Sequence, residues 1–206
     1  MTPPELPSDP AAVAVHFAEL HQGPSPLLLA NAWDAGTAKA LAFLGFRALA
    51  TTSAGHAASL GRHDGTVTRE EAIAHAATLA AATPLPVNAD FENGFADDPG
   101  DAAETYRLAA ERGVAGASIE DYDRVKGALY DLGLARERVA AAAEAAHGGA
   151  VRLVLTGRAE NHIRGVDDLD DTITRLQAYQ EAGADVLYAP GLTASDDIAR
   201  LVSSVD

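Results

Sequence analysis

The sequence predicts an α/β fold, specifically a parallel (β/α)₈ TIM barrel, on three observations. Apolar strand-like runs alternate with Ala-rich helix-like runs, a glycine recurs between helix and strand, and polar residues gather where nearly every strand ends. Runs that are apolar throughout and separated by helices describe parallel strands covered on both faces. A doubly wound open sheet would spread the strand ends along a line, whereas a barrel brings them to one mouth.

In chain order, Leu27 to Trp33 is the first strand, ending near Asn31 and Asp34. Ala38 to Leu44 is helical, Gly45 suits a left-handed cap, and Arg47 to Ser53 follows as the second strand. Pro86 to Glu92 is the third. The same grammar returns in Ala102 to Arg112, Gly113 and a fourth strand from Ala115 to Asp121. Val151 to Glu160 is the fifth strand, and Ile173 to Ala182, Gly183 and Asp185 to Pro190 supply the sixth. A complete barrel takes eight strands and about 250 residues. The expectation is therefore one barrel domain over residues 1–206 that lacks its last two strands, the chain being incomplete at its C-terminus.

Composition narrows the function. The 206 residues carry 30 acids against 15 Lys and Arg, a formal net charge of −15. That leaves no basic stripe for nucleic acid and repels anionic lipid. Cysteine is absent, which removes disulfides, thiolate metal sites and any cysteine acid or nucleophile. Met1 to Pro10 shows no leader pattern, and no stretch approaches the roughly 20 apolar residues of a membrane span. A soluble cytoplasmic protein is the expectation.

The most informative stretch is Val87-Asn88-Ala89-Asp90-Phe91-Glu92-Asn93-Gly94. Read as a strand, it puts Asn88, Asp90 and Glu92 on one face and Val87, Ala89 and Phe91 on the other. Buried carboxylates need a partner, which a divalent cation or a hydrogen-bonding substrate supplies. With Glu120 on the next strand, Asp90 and Glu92 form an oxygen-rich set suited to Mg²⁺; a metal-free hydrogen-bonded network is the plainer alternative. Arg158 and Glu160, two apart on the fifth strand, share a face, where an arginine fork suits a carboxylate or phosphonate and also neutralises neighbouring acids. The small-residue loop from Thr51 to Gly65 lets backbone N–H groups approach an anion, although a purely steric role accounts for it equally. His56, His63 and His162 lie beside the mouth and read as bystanders rather than catalysts. No P-loop or Gly-x-Gly-x-x-Gly indicates a nucleotide.

The motifs NAWDAGTA, TTSAGHAASLGRHDG, NADFENGF, ASIEDY and TGRAEN, each at a strand end, together resemble the isocitrate lyase/phosphoenolpyruvate mutase superfamily over essentially the whole chain. The resemblance implies a (β/α)₈ barrel, a homo-oligomer (tetramer or dimer), and Mg²⁺, with Mn²⁺ as substitute, acting with a small α-keto or α-hydroxy acid. By similarity, Asp90, Glu92 and Glu120 match the metal acids and Arg158 the substrate-binding arginine. Thr52, Ser53 and Ala54 match the segment whose amides hold the substrate carboxylate, while Asn31, Trp33 and Glu160 are expected to face the substrate. Asp64 falls where the mutase branch has a loop aspartate; Lys126 and Tyr122 lie in the gating loop. Arg158, Asp64, Lys126 and Tyr122 are thus the expected catalytic residues.

Departures shape the subclass. Isocitrate and methylisocitrate lyases carry a Lys-Lys-Cys-Gly-His loop where this chain has Glu120 to Gly127, and without cysteine that mechanism is closed. Mutases and hydrolases of the group pair a loop lysine with asparagine and use a histidine after the sixth strand. Here Lys126 has no neighbouring Asn, and Leu187 to Gly191 carries no histidine. Glu92 is one methylene longer than the usual aspartate. The leading expectation is a Mg²⁺-dependent lyase-type enzyme making or breaking a C–C bond through an enolpyruvate-like intermediate. The alternatives are a phosphoenolpyruvate or phosphonopyruvate mutase or hydrolase, carboxyphosphonate phosphorylmutase-like, acting on a P–C bond, and a non-catalytic small-acid binding protein.

Overall fold

The computed structural model describes residue 7 and residues 9–205. Most of the N-terminal stretch read for a leader, residues 1–6 and 8, and Asp206 lie outside the described residues. The elements run α1 (Pro10–His21), β1 (Leu29–Asn31), α2 (Ala35–Phe43), β2 (Ala48–Ala50), α3 (Ser53–Ser59), α4 (Arg69–Ala82), β3 (Val87–Asp90) and α5 (Pro99–Ala110). They continue with β4 (Gly116–Glu120), β5 (Tyr122–Asp123), β6 (Ala128–Leu129), α6 (Leu132–His147), β7 (Val154–Arg158), α7 (Leu169–Glu181), β8 (Val186–Tyr188) and α8 (Ser195–Ser204).

Six strands form one parallel sheet in the order β1-β2-β3-β4-β7-β8, as consecutive staves of a (β/α) barrel do, with β1 and β8 at its margins. All six expected strands are present, each shorter than its sequence-based bounds, and the glycines of the three helix–strand units adopt left-handed φ: Gly45 92°, Gly113 78° and Gly183 103°. Register sorts the side chains into rungs. Asn31, Ala50, Asn88, Gly116 and Val154 share one; Asp90, Ser118, Thr156 and Val186 share another; Glu120, Arg158 and Tyr188 lie nearest the carboxyl ends. The alternate residues Val87, Ala89, Ala117, Ile119 and Leu155 are buried in hydrophobic layers on the opposite face. Period-two alternation therefore assigns polar side chains to the inner face.

The beginnings of the strands are plugged by α1, which the sequence reading left unassigned. Asp9 caps it, accepting a hydrogen bond from Ala12 N at 3.1 Å, and Pro10 fits the first turn. Phe17 packs among Ala48, Ala115 and Val154. Gly116 makes room for that ring: a Cβ there would stand 2.7 Å from Phe17 Cε1 and from the Val154 carbonyl.

Three local departures matter for the site. The third strand ends at Asp90 rather than Glu92, because Glu92 takes a left-handed φ of 49° and begins a turn. The small-residue loop after the second strand contains a helix, α3, capped by Thr52. The segment from Tyr122 onward folds as an antiparallel hairpin of β5 and β6, pairing Tyr122 with Leu129 and Asp123 with Ala128. Among the described residues, no helix is long and apolar enough to cross a membrane.

Asp185 fastens one edge of the scaffold. It accepts from Leu155 N at 2.8 Å, meets Arg152 Nη2 at 2.7 Å, and meets Nε2 of His147, the last residue of α6, at 2.8 Å. Burial by itself pushes this carboxyl up, but Arg152, the Leu155 N–H and His147 together hold it below its ordinary value of 3.8. A depressed carboxyl stabilises the fold above its unfolded-state pKa and loses that contribution as pH falls through the folded one. Asp185→Asn is therefore expected to lower the melting temperature at neutral pH, with the gap to wild type closing below about pH 4. Thermal denaturation across pH checks this; a gap that persists in acid would contradict it.

Candidate functional site

The carboxyl ends of the strands surround a cleft of about 530 Å³. Its wall includes Asn31, Thr52, Ser53, Ala54, Asp64, Asp90, Arg158 and Glu160, eight of the residues that the sequence singled out, brought together from four different strand ends and their loops. Asn88, Ser118, Thr156 and Tyr188 complete the inner face, and Arg124 and Arg164 lean in from the rim.

Charge organises this cleft. Arg158 contacts Glu160 at 2.6 Å, Glu120 at 3.3 Å and Asp90 at 3.4 Å. Arg164 meets Glu160 at 2.8 Å and Glu120 at 3.7 Å while lying 3.9 Å above the Tyr122 ring. Arg124 reaches Asp64 and Glu92, at 2.9 and 2.8 Å, and Glu120 at 3.6 Å. Five carboxylates thus face three guanidiniums, an excess of two negative charges. The consequences appear in the titrations. Burial, opposed by Arg124 and reinforced by Asp90 and Asp64, pushes the Glu92 carboxyl up to about 7. Burial, with Glu160 and Asp90 adding to it against Arg158 and Arg124, also raises Glu120, which is 2% exposed. Burial works against the charge on Arg158, yet Asp90, Glu120 and Glu160 more than offset it and keep the guanidinium ionised.

The structure separates the remaining expected residues from this wall. Glu120 sits behind Arg158 and Arg124, and Glu92 opens on a neighbouring cavity on the far side of Arg124. Lys126 is 67% exposed on the hairpin turn, with Nζ 2.7 Å from Asp123 and 3.6 Å from Asp97. Tyr122 lies beneath Arg164. Trp33 is half exposed and packs on Gly55, where a Cβ would come within 2.7 Å of its ring. His56 stacks on His75 at 3.7 Å, and His75 Nε2 bonds the Trp33 carbonyl at 2.9 Å, so this pair braces α3 against α4. The Ser53 N–H, expected to serve a substrate carboxylate, donates to Asp90 Oδ2 at 2.9 Å.

Sequence reasoning passed over Arg124, Arg164, Ser118 and Thr156. A signal existed for three of them: Ser118, Glu120, Tyr122 and Arg124 alternate, as do Thr156, Arg158 and Glu160. It also passed over the layer that holds the acids. Asp121 accepts from Glu160 N at 2.8 Å, from the Tyr179 hydroxyl at 2.5 Å and from Arg175 at 3.1 Å. Arg138 is 1% exposed, donates to the carbonyls of Asn93, Ala96 and Asp97, and lies over Tyr130. It fixes the turn that carries Glu92.

The donor set fits a hard divalent cation that keeps most of its water. Asn88 Oδ1, Glu92 Oε1 and Glu120 Oε1 are buried and receive no hydrogen bond, whereas Glu160 Oε2 is taken up by its ion pair with Arg164 at 2.8 Å. Among the described residues, no three acidic or histidine groups converge to ligate one ion directly. Mg²⁺ does not require them to, since it binds through one or two carboxylates and completes its octahedron with waters and substrate oxygens.

A family model described as phosphoenolpyruvate phosphomutase matches residues 17–206. The chain is 51% identical to a lyase/mutase candidate of solved structure from Burkholderia cenocepacia J2315, with a TM-score of 0.92 over 95% of this chain and 71% of that one. It is 35% identical to the uncharacterized protein MT2054 of Mycobacterium tuberculosis (strain CDC 1551 / Oshkosh), over 92% of this chain and 70% of that protein. It is 30% identical to 2,3-dimethylmalate lyase of Eubacterium barkeri, over 93% of this chain and 68% of that enzyme.

Removing the Tyr179 hydroxyl leaves Asp121 with one fewer charge-assisted bond in a buried place. Tyr179→Phe is expected to cost about 1.5–3 kcal/mol of stability, read as a lower urea midpoint with an unchanged slope. A loss no larger than that of a surface substitution would remove Asp121 from its supporting role.

Proposed function

The chain belongs to the phosphoenolpyruvate mutase/isocitrate lyase superfamily, and on that premise we propose that it is a Mg²⁺-dependent lyase-type enzyme. Its reaction makes or breaks a C–C bond beside the carbonyl or hydroxyl of a small α-keto or α-hydroxy acid, through an enolpyruvate-like intermediate. The observation that carries this reading is the position of Arg158. Its guanidinium lies at the carboxyl end of β7 beside Asp90 and Glu120, in a cleft of substrate size, where a donor can meet negative charge that develops on a substrate oxygen.

Each residue then has a task. Arg158, held by Glu160 and resting 5.4 Å from the centre of the Tyr188 ring, presents a fixed fork to the substrate carboxylate and carbonyl side. The segment Thr52, Ser53 and Ala54 also lines the cleft, as does Asn31 at the end of β1. Asp90, Glu92 and Glu120 would hold Mg²⁺, or Mn²⁺ in its place; when bound, the ion supplies Lewis-acid stabilisation of the substrate oxygens. Asp64 is the carboxylate positioned on the cleft wall to accept or return a proton, and Arg124 beside it keeps it ionised: burial raises this carboxyl, and the Arg124 pairing pulls it below its usual value. Neither Lys126 nor Tyr122 lines the cleft, so a proton carried by either must reach the substrate from outside its wall. The same point ranks the P–C alternative second, because Asp64 and Lys126 would have to act on one phosphonyl group. Membership of this superfamily and the match to 2,3-dimethylmalate lyase support a small-acid substrate.

Proton exchange at the carbon beside the carbonyl, followed by NMR with Mg²⁺ and a panel of keto acids, tests the reading; no exchange with any of them would leave a binding protein instead. Asp90→Ala is expected to abolish both exchange and Mg²⁺ binding in calorimetry. Arg158→Ala, by contrast, should retain the ion and weaken oxalate binding by about 2–3 kcal/mol. Unchanged Mg²⁺ affinity in the Asp90 variant would remove the metal assignment.

A further inference from the structure

Arg124 stands where three acid-bearing elements meet. Its Nη1 donates to Asp64 Oδ2 at 2.9 Å, Nε lies 2.8 Å from Glu92 Oε2, and Nη2 lies 3.6 Å from Glu120 Oε1. Only the first contact is a hydrogen bond. The Nε group is buried without an aligned acceptor despite its short distance to Glu92, so the attraction to Glu92 and Glu120 is Coulombic and undirected. Directed bonds resist displacement more than undirected ones.

Its setting favours movement. Arg124 belongs to the turn of a hairpin whose two strands are two residues each, and the next residue, Val125, is 96% exposed. The side chain forms part of the wall of two spaces, the 530 Å³ cleft and a neighbouring cavity of about 670 Å³ bounded by Thr68, Arg69, Asn93 and Asp97. Leaving the acids therefore does not drive the guanidinium into packed core.

We propose that Arg124 is a built-in counter-ion for Glu92 and Glu120 that competes with a divalent cation for them, and that it moves aside when the ion binds. The inference rests on reading these acids as the Mg²⁺ site. A guanidinium and Mg²⁺ on the same carboxylate groups weaken each other's hold, since like charges about 4 Å apart repel by several kcal/mol even at an effective dielectric of about 20. Mg²⁺ also needs oxygens arranged octahedrally around it, a place the guanidinium obstructs. By linkage, the ion must loosen the arginine by the same factor as the arginine weakens the ion. Arg124 is thus a positioning residue, acting on the metal acids rather than on substrate.

The test is calorimetric titration of Mg²⁺ into the full chain at mildly alkaline pH, for wild type, Arg124→Gln and Arg124→Lys, with circular dichroism melts to confirm folding. Arg124→Gln is expected to bind Mg²⁺ about tenfold more tightly, and Arg124→Lys to stay near wild type. In wild type alone, amide hydrogen exchange over residues 122–129 should quicken when Mg²⁺ is added. Unchanged or weaker affinity in Arg124→Gln, with normal binding in wild type, would overturn the competition and leave the metal site standing. Binding in neither protein would overturn both. Should Arg124→Gln fail to fold, slower or unaltered exchange of the wild-type hairpin on Mg²⁺ addition decides against the proposal.

Discussion

Five carboxylates and three guanidiniums are packed into the strand ends, and their imperfect balance is the constraint to which the rest of the fold answers. Burying acids is costly unless each meets a partner. The arginines are accordingly threaded between them: Arg124 among Asp64, Glu92 and Glu120, Arg158 among Asp90, Glu120 and Glu160, and Arg164 beside Glu160 and Glu120. Glu120 touches all three and is the knot of the network. Burial first, and neighbouring acids after it, raise its titration and that of Glu92. A divalent cation is equal in size and opposite in sign to the formal excess of two carboxylates over guanidiniums.

Such a cluster holds its shape only if its carriers are rigid, and the second layer provides this. Asp121 pins the backbone at Glu160 and is itself pinned by Tyr179 and Arg175 from α7. Arg138 reaches from α6 to three carbonyls of the turn that presents Glu92. At the opposite end of the strands, Phe17 of α1 packs against the strand beginnings. Polar groups at one end are held by helices on the outside, while apolar packing at the other end fixes the sheet that carries them.

The fold and the strand-borne part of the site were legible because both follow from short-range patterns. Period-two alternation put Asp90 and Arg158 on the inner face, and glycines after helices marked three strand starts correctly. The same pattern misled at Glu92, which reaches the cluster from a left-handed turn; the turn is imposed by Arg138, 45 residues further along the chain for its Asn93 contact, which no local window contains. The hairpin was read as a loop because strands of two residues are too short to announce themselves, so the alternation that runs from Ser118 to Arg124 was not followed past Glu120 and Lys126 was preferred. In the small-residue loop, glycine and alanine suggested backbone open to an anion, whereas the Thr52 cap turns that stretch into α3 and gives the Ser53 N–H to Asp90. Composition indicated an open backbone where capping chemistry produced a helix.

The acids and the arginine of the sheet, Asp90, Glu120 and Arg158, are bound to a core that tolerates little change, while Asp64 and Arg124 hang from segments that touch it lightly. The two groups therefore differ in how far a substitution propagates. Replacing a strand-end residue disturbs packing and charge together, whereas replacing Asp64 or Arg124 alters the charge at the mouth and leaves the sheet standing.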